Sequence, residues 1–196
     1  ARNNELMNVF ESLALNVSNA EVLSHPVRDV KPDVLRPIMQ AARQQKRLDC
    51  DYVSLNHPDR EGRIIVPHTL VYTGLRWHVR AWCEKNQEYR DFVLSRFRDT
   101  PDIMDESEHG AADDTEYNTE VTIRITPDPR LTSAQQEVIE IDYGMQGGAL
   151  CITTRGKLVS YALKLLHVNP REQLADPMAQ QIIVANRDEL EPWLFG

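Results

Sequence analysis

Arg76-Trp77-His78-Val79-Arg80-Ala81-Trp82-Cys83 is the stretch on which the reading of this chain turns. Aromatic and β-branched residues crowd it, and Thr73-Gly74 before it and Glu84-Lys85-Asn86-Gln87 after it are turn signals, so it reads as a strand. Side chains alternate faces along a strand. Trp77, Val79 and Ala81 are therefore expected in the core. Arg76, His78, Arg80 and Trp82 share the other face. Two guanidinium groups, an imidazole and an indole on one surface suit phosphates and bases: arginine grips an anion with paired donors, and an indole offers a stacking platform. The alternative is a solvated face whose arginines pair with Glu84, Glu88 and Asp91.

Neighbouring segments extend the same grammar. Leu35, Ile38, Met39 and Ala42 recur at helical spacing behind Pro32-Asp33, and the basic end at Arg43, Lys46 and Arg47 suits a helix C-terminus. Leu48, Cys50, Tyr52 and Ser54 then alternate with polar residues. Arg63–Val66, Thr69–Tyr72 and Tyr89–Phe97 are further extended runs. One helix followed by four or five short strands with tight turns indicates a small β-barrel. Arg90 and Arg96 on the last run, with Ser95 between, would share the face of Phe92 and Leu94 and join the basic face only if a bulge or a rim position turned them to it.

Residues 101–120 hold eight Asp/Glu and no Lys/Arg, whereas residues 31–100 carry an excess of four positive charges. Asp102–Thr119 therefore reads as an acidic linker, too poor in apolar groups to offset its ordering entropy. Behind it, Glu120–Ile125 is a strand, and Thr132 or Ser133 caps a helix bearing Val138, Ile139 and Ile141. Ala149–Thr154 is a second strand. Leu158, Tyr161, Ala162, Leu165 and Leu166 fall on one helix face, and Ile182–Val184 with Leu190, Trp193 and Leu194 complete a small α+β sandwich. The fold class is thus mainly β followed by α+β. The domains are residues 31–100 and 119–196, with the linker at 101–118. Residues 1–30 carry a short amphipathic pattern at Leu6, Val9, Phe10 and Leu13 and are expected to be a connector remaining from an upstream domain.

The net charge of -8 argues against a chain coated in nucleic acid. Neither a signal peptide nor a membrane span is legible, so a cytoplasmic protein is expected. Cys50, Cys83 and Cys151 lie in apolar or alternating stretches and are expected as small buried hydrophobes. His68, His78 and Cys83 match no metal-ligand spacing, and no acid stands where it could orient either histidine. Neither a metal, a cofactor nor catalysis is expected.

Residues 63–83 and Tyr89-Arg90-Asp91-Phe92-Val93-Leu94-Ser95-Arg96-Phe97 resemble the WYL domain, in the variant carried by regulators associated with phage defence. Trp77-His78-Val79 stands where Trp-Tyr-Leu would give that domain its name. Residues 119–196 resemble the C-terminal extension found behind it, through Thr132–Gln136 and Asp142-Tyr143-Gly144-Met145. The resemblance implies an Sm-like (SH3-like) barrel whose pocket senses a nucleotide or short oligonucleotide. It also implies a homodimer, and a winged helix-turn-helix, outside this chain, that binds DNA as a repressor. Mapped here, the pocket would take Tyr52, Ser54, His68, Arg76, His78, Arg80, Arg90, Ser95 and Arg96. An Sm-like module that binds RNA or another single strand directly is the alternative.

Overall fold

Pro32 supplies a preset φ for the first turn of helix α1 (Pro32–Gln44), where its missing N–H costs nothing. Asp33 in the first turn and Arg43 in the last match the helix dipole. Gln45 ends the helix in the left-handed region, φ 50°, with its N–H on the Ala41 carbonyl. The buried stripe is Val34, Ile38 and Ala41, so the face anticipated around Leu35 and Met39 is rotated by one residue. Burying Ile38 alone contributes about 1.5–3 kcal/mol. The computed structural model describes residues 28–56 and 58–195. The short amphipathic pattern from Leu6 to Leu13 lies outside them.

Strands β1 (Lys46–Tyr52), β2 (Glu61–Tyr72), β3 (Trp77–Cys83), β4 (Glu88–Val93) and β5 (Asp102–Glu106) form one antiparallel sheet in the order β4-β3-β2-β1-β5. The two runs expected at residues 63–66 and 69–72 are one strand interrupted by a bulge between Pro67 and Thr69. Proline has no N–H to give the ladder, which makes a bulge its natural place in a strand. The last run leaves the sheet after Val93 as a 3-10 turn, Leu94–Arg96. Its exit returns to β1: Val53 N–H donates to the Arg96 carbonyl and Arg98 N–H to the Asp51 carbonyl. The sheet is bent round the core of α1, with Leu48, Cys50, Tyr52, Ile65, Val79 and Phe92 inside. No ladder joins β4 to β5, so the hydrogen bonding does not close a barrel.

The acidic stretch departs most from expectation. Residues 102–106 pair with β1 as the fifth strand. Beyond them lie a 3-10 turn, Ala111–Asp113, and the single turn α2 (Thr115–Asn118), capped by the Asp114 carboxylate on Tyr117 N–H at 3.0 Å. Composition there is that of a linker. Backbone pairing and one buried acid nevertheless hold it against the sheet.

The second sheet has β6 (Glu120–Pro127) between β7 (Leu150–Arg155) and β8 (Ile182–Val184), all antiparallel. Helix α3 (Ser133–Asp142) starts in a reciprocal capping box. Gln135 N–H donates to Thr132 Oγ1 at 3.4 Å, and Thr132 N–H to Gln135 Oε1 at 2.9 Å. Helix α4 (Val159–Leu165) buries Val159, Ser160 and Leu163 rather than the Tyr161 and Leu165 side. These helices cover Ile123, Ile125 and Ile182. A last turn, α5 (Arg187–Leu190), adds the fully buried Leu190. Among the described residues no helix is long and apolar enough to cross a membrane.

Candidate anion site

Register decides which side chains meet on β3. Arg80 stands opposite Asp91 of β4 and Thr69 of β2, and His78 opposite Val93 and Val71. Directly paired residues share a face. His78 and Arg80 therefore look out on the same side as Asp91. Arg90 pairs with Ala81 and points the other way, where it is exposed and meets Glu88 at 3.5 Å. It is not part of this site. The bulge in β2 puts both His68 and Thr69 opposite Arg80.

The face is covered rather than open. Arg80 is only 4% exposed, and its guanidinium grips the Asp114 carboxylate twice, Nε to Oδ2 at 2.7 Å and Nη2 to Oδ1 at 3.2 Å. Its Nη1 reaches Asp91 at 3.4 Å. His68 Nε2 lies 3.2 Å from Asp114 Oδ2, with Nδ1 on Thr69 Oγ1 at 2.8 Å. Burial works to raise the pKa of Asp114, but the hydrogen bonds from His68, Arg80 and Tyr117 N–H outweigh it and hold the carboxyl well below its usual range. The charge on Arg80 is thus met inside the chain, by the acidic connector. Trp82 is likewise engaged: His109 of the connector stacks on it with ring centroids 3.9 Å apart. Tyr89 fixes the same segment by donating to the Gly110 carbonyl at 2.8 Å.

One end of the face stays cationic. His78 is 3% exposed; its Nε2 accepts from Arg76 Nε at 3.0 Å, while its Nδ1 is buried with no partner among the described residues. Burial lowers the pKa of His78 to about 4, helped by the positive charges of Arg76, Arg96 and Arg28. Arg76 and Arg96 are half-buried, and no carboxylate pairs with either among the described residues. Guanidinium groups gathered away from bulk water without a counter-charge favour an anion, which would recover desolvation energy and fill paired donors. Tyr161 of α4 closes the other side of His78, its ring centroid 5.1 Å away.

Of the residues expected in the pocket, Arg76 bonds to His78, and Arg96 is near enough for its charge to bear on that ring, with Ser95 half-buried in the 3-10 turn that carries Arg96. Arg80 and His68 form the Asp114 lock beside them. Tyr52 belongs to the core: it accepts Val93 N–H at 3.1 Å and packs edge-on against Phe92 and Phe97. Ser54 is half-buried past the end of β1. Trp77, expected in the core, is 44% exposed and pairs with Tyr72, because it begins the strand beyond the reach of α1. Cys50 and Cys83 are buried as anticipated, but Cys151 is exposed on the outer face of β7. Asp114 and Tyr161 were missed. Asp114 had one local signal, an acid at the N-cap of the short helical run Thr115–Asn118. A cavity of about 530 Å³ lies elsewhere, between α4 and the C-terminal segment, lined by Leu163, Lys164, His167, Arg171 and Phe195.

A bent antiparallel sheet behind one helix, joined by a docked connector to a small α+β unit, is the two-part architecture that these elements define. Residues 33–100 match the WYL domain, and residues 120–190 match the "BrxR transcriptional regulator, C-terminal dimerization domain". The chain thus carries a WYL domain followed by this C-terminal domain. It is 35% identical over 164 residues to the DNA-binding transcriptional repressor CapW of Pseudomonas aeruginosa, 84% of this chain and 54% of that protein. Identity to CapW of Stenotrophomonas maltophilia is 31% over 173 residues, covering 88% and 58%. The chain thus spans just over half the length of these relatives. Proteasome accessory factor B/C of Arthrobacter aurescens overlays 94% of this chain and 30% of its own at 15% identity, with a TM-score of 0.39, too loose to carry an argument.

Proposed function

We propose that this chain is the effector-sensing and dimerising part of a DNA-binding transcriptional repressor of the phage-defence type. Its effector is an anion, a nucleotide or a short oligonucleotide, held at Arg76, His78 and Arg96. The observation that carries this is the pair of half-buried arginines around a buried imidazole, with no carboxylate on them among the described residues. Arg80, the obvious candidate from sequence, already holds Asp114 and is left to structure. On this reading residues 31–100 are an Sm-like barrel, with β5 of the connector added beside β1. Residues 119–196 make the dimer, and residues 1–30 lead from a DNA-binding domain. The protein works in the cytoplasm and catalyses nothing. Its two-fold symmetry would match a palindromic operator.

Direct capture of long RNA fits less well. The indole that would stack bases, Trp82, is stacked on His109.

Calorimetry with cyclic nucleotides and 5′-phosphorylated dinucleotides tests the site. Saturable binding is expected, weakened tenfold or more by Arg76→Ala or Arg96→Ala, the order expected for a charge-assisted pair. Arg90→Ala should leave it unchanged. Equal affinity in all four proteins would refute the assignment.

A further inference from the structure

Tyr161 lies on α4, inside the residues that match the dimerization domain, yet it faces the first sheet. Its ring covers His78 at 5.1 Å and 60°, and its hydroxyl donates to Asp91 Oδ2 at 3.1 Å. Asp91 in turn takes a bond from Arg80. Behind Tyr161 stands the Phe195 ring, edge-on at 4.9 Å. The imidazole at the centre of the cationic cluster is therefore walled by the other domain. Its unpartnered Nδ1 is enclosed in the same place.

We propose that Tyr161 is a positioning residue of the anion site, through which occupancy of Arg76, His78 and Arg96 bears directly on the C-terminal domain. This rests on the anion site of the preceding section. An anion that neutralises Arg76 and Arg96 removes two of the three charges that, behind burial, oppose protonation of His78. With Nε2 accepting from Arg76, neutral His78 already carries its proton at the unpartnered Nδ1, so protonation adds one at Nε2, breaks the Arg76 bond and sets a cation beside the electron-rich face of a tyrosine. The His78–Tyr161 contact cannot stay indifferent to that change, and Tyr161 is tied through Asp91 and Phe195 to both domains. Coupling of two sites requires such an element, one whose equilibrium both sides bias.

Two measurements on this chain test it, with inorganic pyrophosphate as the probe. In hydrogen exchange on the wild type, residues 158–166 of α4 should change protection along with residues 76–96 when pyrophosphate binds. A response confined to 76–96 would overturn the proposal. In sedimentation equilibrium, pyrophosphate should shift the dimer dissociation constant of the wild type at least about fivefold, the lower end of usual coupling. Tyr161→Leu, measured at pyrophosphate concentrations that saturate it, should show no shift. Tyr161→Phe, which keeps the ring on His78, should retain it. A shift preserved in Tyr161→Leu overturns the proposal alone. Pyrophosphate binding that is absent, or indifferent to Arg76→Ala and Arg96→Ala, overturns the anion site and this inference with it.

Discussion

Removing the Asp114 carboxylate should unfasten the connector, and the cost follows from its contacts. Asp114→Ala strips Arg80 of both strong hydrogen bonds, leaves His68 Nε2 unpaired and uncaps α2. Breaking a buried ion pair from one side costs about 3–5 kcal/mol, since the remaining charge stays desolvated. A lost N-cap costs about 1 kcal/mol, part of the same loss here. Asp91, 3.4 Å from Arg80, softens the penalty, which puts the expectation near ~3 kcal/mol. Arg80→Met in the same background removes the orphaned charge. The double variant should therefore lie well above the sum of the singles, with a coupling of roughly 2–3 kcal/mol. Urea unfolding followed by tryptophan fluorescence and circular dichroism measures all four proteins, with coincident transitions as the check on two-state behaviour. If each single variant costs under about 1 kcal/mol and the two costs simply add, Arg80 does not hold the connector through Asp114.

His78 gives a pH signature. Its folded pKa of about 4 lies below the ordinary value of 6.5, so the unfolded chain binds the extra proton between the two. Stability is full above pH 6.5 and lost as the pH falls toward 4, on the order of 3 kcal/mol; urea midpoints across that window should slope in the wild type and flatten in His78→Phe. The Asp114 lock obeys the same sign rule for a depressed acid, but its loss comes lower, below about pH 4. Gly156→Ala should destabilise the C-terminal unit by about 1–3 kcal/mol, because a Cβ there would sit 2.4 Å from the Trp193 ring and 2.9 Å from the Glu116 carbonyl; a melting temperature equal to wild type would contradict that packing. Iodoacetamide on the native protein should modify Cys151 alone, since Cys50 and Cys83 are buried and burial raises the Cys50 thiol to about 12; mass spectrometry counts the adducts, and three under native conditions would contradict the burial.

What was legible from sequence was what periodicity controls. The alternation of Leu48, Cys50 and Tyr52 survives as the buried face of β1, and Val79 with Ala81 as that of β3. The capping residues at Thr132 mark the helix start where it occurs. Period alone could not say how far the core extends along a strand, so Trp77, in phase with Val79, emerges into solvent. Nor could it fix the rotation of a short helix. In α4 the inner stripe is Val159 and Leu163, which frees Tyr161 to face the first sheet. The strand β5 escaped notice because edge pairing uses backbone groups and tolerates an acidic sequence such as Asp102-Ile103-Met104-Asp105-Glu106.

The basic face was visible from its residue types, but its anion was sought outside the chain, and half of that demand is met within it. Asp114 stands 34 residues beyond Arg80, in a run of acids that look alike in sequence. What singles it out is placement by β5 and the 3-10 turn, which carry the connector across β3 and leave one carboxylate above Arg80. That division of charge has a functional consequence. Were Arg80 free, the face would present one broad cationic surface able to take a polyanion of any length. With Arg80 locked, the positive charges that bear on His78 are those of Arg76, Arg96 and Arg28, beside a wall contributed by α4. On the proposed function, a site so bounded would favour a short anionic ligand over a long one, and would place that ligand where the second domain can respond to it.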